Sequence, residues 1–450
     1  MLTVEPKSDL EYSDGPRSPS SAWTATDERQ ARRKVDLSVL PLLFLGMTVF
    51  QLDRMNVASA LTGGFGEDIK VNQNTINLGN QLMFLGIIVL EIPSNILLQR
   101  IGPEKWMPAQ VLAFGIIAIF QVFLKNRNGF LVIRAILGLA EAGYIPGSVY
   151  ILSTWYIGPE LAKRVAILFF GMFGGNAISP LLGAGILRLD GRHGLKGWQW
   201  IFLVEGLMTI VSAILLVVFL PRSPERPKPF LIQRGIVAFS EQDKEVLMAR
   251  MPKNAETRRR TLPPSLIVKT LLNYRRWPHF LSTACVFSTW SPLTTYTPSI
   301  MMALGFNRIQ ANALSAIGAF MTLPLVFFFA WLSDKTARRG IVVITAISCY
   351  LIVLIVARCA LPSVGKWSRF GLWTVVNAFA VGYHPIHNTW VQVNCQDAGE
   401  RNVSIAYLRG LSIMIALVAS GLLLALTQEI TYLFLNGPAR KRGEKVIYVP

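Results

Sequence analysis

The chain has 450 residues, of which 52% are hydrophobic and 16% are charged, and its mean hydropathy is +0.43. Soluble domains carry about 25% charged residues, so this composition excludes one large globular core and predicts a protein with several membrane-spanning helices. The formal net charge of +18 does not indicate nucleic-acid binding. The basic residues lie in short segments between apolar runs, and they form no basic face interleaved with aromatic residues.

The N-terminal stretch differs from the rest of the chain. Residues 1–28 are polar and rich in Ser, Pro, Asp and Glu, and they contain no apolar core typical of a cleavable signal peptide. A stretch of this composition cannot bury enough apolar surface to fold alone. We therefore expect a disordered tail over residues 1–34.

Eleven apolar runs are long enough to cross a bilayer, which takes about 20 mostly apolar residues. Numbered as predicted spans 1 to 11, they cover 37–58, 77–98, 105–124, 129–151, 163–187, 198–220, 278–303, 309–332, 340–361, 369–394 and 402–426. The pattern predicts an all-α polytopic membrane protein. Its parts are an N-terminal six-helix bundle over 35–221, a connector over 222–276, a C-terminal bundle over 277–428 and a tail over 429–450.

The basic residues of the predicted loops indicate orientation, since loops rich in Lys and Arg stay in the cytoplasm. The connector carries thirteen Lys and Arg against five acidic residues. Basic residues also precede span 1 and follow spans 2, 4 and 8, with loop 188–197 as an exception. We expect a cytoplasmic N-terminus and connector. Within the connector, Ser240 followed by acidic residues predicts a short capped amphipathic helix over 240–251.

No metal or other cofactor is predicted. Neither a zinc site nor a disulfide framework is indicated by the spacing of the four cysteines, Cys285, Cys349, Cys359 and Cys395. His384 and His387 stand at i and i+3 in span 10, but no third ligand of suitable spacing accompanies them.

The loop after span 8, AWLSDKTARR, resembles the loop motif of the major facilitator superfamily, in which a helix-end carboxylate meets basic groups across a cytoplasmic gate. The carboxylate here is Asp334, and the basic groups are Arg338 and Arg339. The matching loop after span 2, NILLQRIGPEK, has Gln99 where the superfamily has Asp, but it retains Arg100. The resemblance implies a gating role for these charged residues. A solvated charged turn is the alternative.

Seven further segments, taken in their order and spacing, resemble one branch of that superfamily. They are LDRMN (52–56), EIPSN (91–95), RAILGLAEAGYIPG (134–147), SPLLG (179–183), WQWIFLVEG (198–206), LPRSPE (220–225), and LGF with QAN (304–306 and 310–312). Together they resemble the fungal allantoate and nicotinate permease group of the anion:cation symporter family. The resemblance implies a major facilitator fold of two pseudo-symmetric helical bundles, and proton-coupled import of small organic anions such as allantoate, nicotinate or pantothenate. The family has twelve spans, so we expect 6 + 5 here, with the twelfth missing through a truncated gene model.

Two predicted spans carry charged residues inside apolar runs, where a charge is costly unless it faces a partner or a wet cavity. Span 1 contains Asp53 and Arg54. Span 4 contains Arg134 and Glu141, which share one helix stripe because they are seven residues apart, with Gly138 between them. The resemblance implies that the two arginines bind the substrate carboxylate and that the two acids take up protons. Structural alternatives stay open, with the first pair at headgroup level and the second as a packing pair.

Six weaker candidates for substrate contact lie along the other apolar runs and in span 4. They are Tyr144 on span 4, Asn176 on span 5, Trp290 and Tyr296 on span 7, and His384 and Asn388 on span 10. Span 7 contains two prolines and many hydroxyl groups, which predicts a broken helix that lines a cavity. Packing is the alternative for its aromatic residues, and a proton relay for the histidine. Glu91 and Glu205 also lie in apolar runs, and we expect structural roles for them.

The sequence therefore predicts a proton-coupled importer of a small carboxylate that works by alternating access, as a monomer in the plasma membrane. Its partners would be the carboxylate, protons and the lipid bilayer. A transporter-like nutrient receptor and a metabolite exporter of the same fold are the alternatives. An enzyme is not predicted, because no catalytic His-Asp or Ser-Lys pair stands out on one helix face.

Overall fold

The structure is a computed structural model that describes residues 23–232, 235–250, 277–287, 289–336 and 338–393. Predicted span 11 and the tail over 429–450 lie outside these ranges, as does part of the connector.

The N-terminal half is helical. Its helices are α1 (Ala25–Ser38), α2 (Leu40–Thr62), α3 (Phe65–Asp68), α4 (Gln73–Ile101), α5 (Pro103–Phe120), α6 (Arg127–Glu141), α7 (Tyr144–Trp155), α8 (Gly158–Ile186) and α9 (Gly197–Phe219). An antiparallel hairpin of strands β1 (Pro221–Ser223) and β2 (Arg226–Pro229) follows, and then helix α10 (Glu241–Arg250). The all-α prediction did not include this hairpin.

The described part of the C-terminal half is also helical. Its helices are α11 (Trp277–Phe287), α12 (Trp290–Ala303), α13 (Arg308–Thr336), α14 (Arg339–Ala360), α15 (Lys366–Phe379) and α16 (His384–Val393). The break expected in predicted span 7 lies between α11 and α12. Within the described residues, seven helical segments are long and apolar enough to cross a membrane, and α4, which bends by 50° at Pro93, would be the eighth.

The expected disordered tail is wrong for residues 25–34, which form most of α1. The Thr24 hydroxyl accepts a hydrogen bond from the Asp27 backbone N–H at 3.3 Å, and the Asp27 carboxylate accepts one from the Thr24 backbone N–H at 2.8 Å. This capping box satisfies two N–H groups that a helix start otherwise leaves unpaired. The polar composition that favoured disorder therefore includes a specific helix-start signal.

Helix α1 is held by ion pairs that also fix the connector helix α10. Glu160, at the start of α8, accepts from Arg32 at 2.7 Å and from Arg250 at 2.5 Å, and Lys34 binds Asp243 at 2.5 Å. Burial raises the pKa of Asp243, but the hydrogen bonds from Lys34 and from the start of α10 outweigh burial and lower it overall. The predicted short connector helix, capped by Ser240, is confirmed as α10.

Predicted span 4 is confirmed as a candidate span over Arg127–Trp155, but its helix is interrupted at Ala142 and Gly143, which separate α6 from α7. Ala142 is extended, and Gly143 has a φ of +79°, a left-handed conformation that glycine adopts without strain. The side-chain amide of Gln110 donates to the Ala142 carbonyl oxygen at 2.6 Å, which replaces a lost helical hydrogen bond. Glu141 therefore ends α6, and Tyr144 begins α7.

The two halves pack on each other along α8 and α13, and side-chain bonds join them at one end. We call the end that holds α1 and α10 the connector face, and the opposite end the distal face. At the distal face, Asn312 of α13 donates to the Thr62 hydroxyl of α2 at 2.6 Å, and Arg308 pairs with Asp190 at 2.7 Å. The hydrogen bond from Arg308, together with one from the Gly197 backbone N–H, lowers the pKa of Asp190. The bundles are thus closed against each other at the distal face.

Candidate functional site

Asp53 and Arg54 are neighbours on α2, yet they face different helices because successive helix residues are about 100° apart. Asp53 is fully buried, and its Oδ2 accepts from the Thr209 hydroxyl of α9 at 3.0 Å. Arg54 faces α6, where its Nε donates to Glu141 Oε2 at 2.7 Å. Both side chains therefore have partners inside the N-terminal bundle.

Arg134 on α6 is buried and retains unused hydrogen-bond donors. Its Nη2 donates to Asn80 Oδ1 of α4 at 2.5 Å. Its Nε and Nη1 have no hydrogen-bond partner among the described residues. A guanidinium stays charged at any accessible pH, so these N–H groups can each donate to an oxygen of an arriving carboxylate.

The four charged residues predicted from spans 1 and 4 come together in the structure. Glu141 bonds to Arg54, and it also interacts electrostatically with Asp53 and Arg134. Arg134 and Glu141 share one stripe of α6, as their spacing of seven residues predicted. The geometry joins these groups into one cluster, and their roles in transport stay predictions.

Gly138 allows α4 and α6 to approach closely between Arg134 and Glu141. A Cβ atom at this position would overlap the backbone carbonyl oxygen of Met83, and one at Gly86 would lie 2.9 Å from the Ala135 carbonyl oxygen. This close packing is what places Asn80 within hydrogen-bond distance of Arg134.

We expect Gly138→Ala to push α4 away from α6 and to destabilise the bundle by about 1–3 kcal/mol, as overpacking of a tight contact does. Thermal unfolding of the detergent-solubilised protein measures this effect. Gly174→Ala is the matched control, because no atom lies within 4 Å of a Cβ built there. An unchanged unfolding temperature for Gly138→Ala would contradict the close contact.

Aromatic rings support the Arg54 guanidinium. Its Cζ lies 4.3 Å from the centre of the Phe50 ring and 5.8 Å from that of Phe84. Tyr144, a predicted substrate contact, is buried and stacks on Phe50 with ring centres 5.1 Å apart. Tyr144 thus lies one ring away from Arg54 rather than beside it.

A cavity between the two halves lies beside the charged cluster. Its walls include Asn176 from α8, Trp290 and Thr297 from α12, and Asn377 from α15, whereas none of the four charged residues is among the lining that the structure describes. Asn176 accepts from the Gln51 side-chain amide at 2.7 Å. Two of the weaker candidates are therefore placed in the cavity wall.

The other weak candidates lie elsewhere. The Tyr296 hydroxyl donates to Asn77 Oδ1 at 2.6 Å, so it joins the two halves toward the distal face. His384 begins α16, with its ring 6.1 Å from that of Tyr383. Asn388 belongs to α16, and its side chain lies outside the described part of the structure.

The predicted gating residues lie at the connector-face ends of α4, α13 and α14, and the structure does not bring them together. Within the described residues, no salt bridge joins any of Arg100, Asp334, Arg338 and Arg339. Their gating role stays a prediction, and it concerns the conformation in which the bundles close at the connector face.

Sequence reasoning missed three residues of the cluster. Asn80 and Thr209 bond directly to the charged groups, and their only signal was a polar residue inside an apolar run. Glu205 of α9, assigned a structural role, is fully buried and interacts electrostatically with Asp53.

Comparison with known protein families matches residues 43–417 to the Major Facilitator Superfamily. The chain belongs to the major facilitator superfamily. Proteins of this superfamily move small molecules across membranes, so the chain is an integral membrane transporter, and the predicted fold is confirmed.

Several relatives are named as transporters. An uncharacterized transporter of Saccharomyces cerevisiae is 27% identical over 410 residues, which cover 90% of this chain and 75% of the relative. One of Schizosaccharomyces pombe is 30% identical over 333 residues, 73% of this chain and 63% of the relative. A putative tartrate transporter of Agrobacterium vitis is 27% identical over 317 residues, 69% of each chain.

Solved structures share the fold. A bacterial homologue of the human lysosomal transporter Spinster, inward-facing and unoccupied, has a TM-score of 0.63 at 14% identity and covers 94% of this chain and 88% of its own. The xylose transporter XylE of E. coli, partially occluded and inward open, has a TM-score of 0.61 at 15% identity, with coverages of 85% and 90%. At these identities the likeness shows the fold alone.

Proposed function

We propose that this transporter imports a small organic anion together with protons, as a member of the anion:cation symporter branch. The main support is the buried Arg134 guanidinium, which has two donor nitrogens without a partner among the described residues. A buried cation whose own N–H donors are unpaired favours an anionic ligand. The relative from Agrobacterium vitis named as a putative tartrate transporter supports a carboxylate.

The ion pair between Arg54 and Glu141 couples the anion to a proton. Glu141 Oε2 occupies the Arg54 Nε donor at 2.7 Å, so an arriving carboxylate competes with Glu141 for the same guanidinium. Protonation of Glu141 removes its charge and weakens the pair, which frees Arg54 for the substrate. Anion binding in turn makes protonation of Glu141 easier, so the two events reinforce each other.

Asp53 is the second proton acceptor in this proposal. It is fully buried, and its single hydrogen bond among the described residues comes from the neutral Thr209 hydroxyl. With Arg54, Arg134, Asp53 and Glu141 all ionised, the four charges cancel. An arriving anion adds one negative charge, and a buried net charge is costly, so one proton per negative charge of substrate restores neutrality.

The closed distal face fits one end of an alternating-access cycle. With the N-terminus in the cytoplasm, as the basic loops predict, the distal face is the outer side of the plasma membrane. The contacts of Asn312 with Thr62 and of Arg308 with Asp190 then close the outer side, and the substrate leaves toward the connector face. In this proposal the monomer is the working unit.

Uptake into proteoliposomes tests the proposal. The chain is reconstituted, an inside-alkaline pH gradient is imposed, and a panel of labelled carboxylates is supplied, with nicotinate and its uncharged amide as a matched pair. We expect accumulation of at least one carboxylate, dependent on the gradient and abolished by a protonophore, with no accumulation of the amide. The proposal would be refuted if uptake did not differ between carboxylate and amide and did not depend on the pH gradient.

A further inference from the structure

Glu205 on α9 is an acidic residue that the proposed cycle does not use. It is fully buried, and neither Oε1 nor Oε2 has a hydrogen-bond partner among the described residues. An unpaired ionised carboxylate is strongly disfavoured in such a place. A purely structural residue would be expected to use its hydrogen-bonding groups, so this carboxyl group needs another explanation.

The charged groups near Glu205 lie on α2 and α6. Asp53 of α2 interacts with it electrostatically, and Glu141 of α6 acts in turn on Asp53. The two arginines are engaged further away, Arg54 with Glu141 and Arg134 with Asn80. The electrostatic neighbour of Glu205 is therefore Asp53, and that of Asp53 is Glu141, so each of these buried acids acts on another acid.

The remaining helices packed against α9 supply no base at this depth. Helix α5, which packs closely on α9, has its charged residues Glu104 and Lys105 in the first turn at the connector face. On α8, Lys163 and Arg164 also lie near the connector face. Among the described residues, Glu205 forms no salt bridge and is the single charged residue of α9.

Thr209, one helical turn after Glu205 on α9, contacts the Asp53 carboxylate. Its hydroxyl oxygen lies 3.0 Å from Asp53 Oδ2 and 3.0 Å from the backbone carbonyl oxygen of Glu205. A hydroxyl has one proton and can donate to one of them at a time. It donates to Asp53 when that acid is ionised. When Asp53 is protonated, it donates to the Thr209 oxygen, and the Thr209 hydroxyl donates to the backbone carbonyl oxygen of Glu205. This geometry accommodates both protonation states of Asp53.

Further unpaired atoms surround the two acids. Asp53 Oδ1 has no hydrogen-bond partner among the described residues, and the same holds for both amide atoms of Asn56, which is fully buried three residues further along α2. Buried polar atoms without a protein partner usually bind water. A water bound at these atoms would give a proton a path between neighbouring carboxyl groups.

We propose that Glu205 is a third proton-binding carboxyl group of the transporter, which shares with Asp53 the proton that accompanies the anion. The inference rests on the proposed proton-coupled function. With Glu205 included, the cluster has three acids and two bases, so it is neutral when it holds one proton. An arriving monoanion then requires a second proton, so Asp53, Glu205 and Glu141 hold two protons between them while the anion is bound.

The pH dependence of uptake tests this role. Glu205→Gln keeps the shape but cannot ionise, so Asp53 loses a negative neighbour that favours its protonation. We expect the pH of half-maximal uptake to fall by about one unit. Thr209→Val removes a donor that stabilises ionised Asp53, and we expect a shift in the opposite direction. Ser212→Ala, on the same helix, is the control with an unchanged profile, because its hydroxyl donates to a backbone carbonyl oxygen.

A wild-type pH profile in Glu205→Gln would overturn the inference. Wild-type uptake that is independent of the proton gradient would instead refute the proposed function, before any variant is made. If Glu205→Gln does not fold, the wild-type protein is treated with dicyclohexylcarbodiimide, which modifies protonated buried carboxyl groups. Mass spectrometry of the peptide that contains Glu205 then measures the labelling. A decrease in labelling as the pH is raised from about 5 to about 9 supports the inference. Labelling that is absent, or that does not change with pH, overturns it.

Discussion

Replacing Arg134 with alanine is expected to raise the substrate concentration for half-maximal uptake about 100-fold, since removal of one member of a buried charge pair costs about 2–5 kcal/mol. Arg134 is 1% exposed, and its Nε and Nη1 have no partner among the described residues, so these donors are available to the substrate. The concentration dependence of labelled uptake in proteoliposomes gives this value directly.

Two variants control for that result. Arg127→Ala removes an exposed arginine from the first turn of the same helix, and we expect wild-type uptake. Arg134→Lys keeps the charge but has fewer donors and no planar group, so its affinity should fall between those of the wild type and Arg134→Ala. Unchanged affinity in Arg134→Ala would exclude this residue from the binding site.

Replacing Glu141 with glutamine is expected to separate binding from proton coupling. The glutamine side chain cannot ionise. The Arg54 guanidinium therefore has no anionic competitor, and it is free for the substrate without any protonation step. We expect gradient-driven accumulation to fall by about tenfold or more. Exchange of labelled for unlabelled substrate, which needs no net proton movement, should continue at a rate close to that of the wild type.

The matched control for this variant is Glu67→Gln, an exposed acid in α3 at the distal face, for which both assays should give wild-type values. A Glu141→Gln protein that still accumulates substrate against its gradient would show that the proton is carried elsewhere. Loss of both assays would point to a structural role for the ion pair with Arg54.

Part of the charged cluster follows from the sequence. A spacing of seven residues brings Arg134 and Glu141 to one stripe of any helix, so their proximity needs no tertiary information. The bond between Arg54 and Glu141 required only that the first and fourth spans be neighbours. The cost of isolated charges in a bilayer made such convergence the expected outcome, and the apolar runs predicted the helical architecture for the same physical reason.

Other features depend on packing that local patterns do not encode. The break at Gly143 has a local signal in Pro146, which has no N–H to bond the Ala142 carbonyl oxygen, but the partner that replaces this bond, Gln110 of another helix, does not follow from the local pattern. Asp53 and Arg54 are neighbours in the sequence, but packing decides that Asp53 bonds Thr209 of α9 whereas Arg54 bonds Glu141 of α6. Tyr296 belongs to a hydroxyl-rich span that predicted cavity contact, but its hydroxyl bonds Asn77 across the two halves.

Substrate-driven proton movement tests the central claim most directly. Proteoliposomes containing the transporter are suspended in weakly buffered medium without an imposed gradient, and an unlabelled carboxylate from the transported set is added while the external pH is recorded. The account predicts a rise in external pH as protons enter with the anion, and no rise with Arg134→Ala. Entry of the labelled carboxylate without any change in external pH would contradict it.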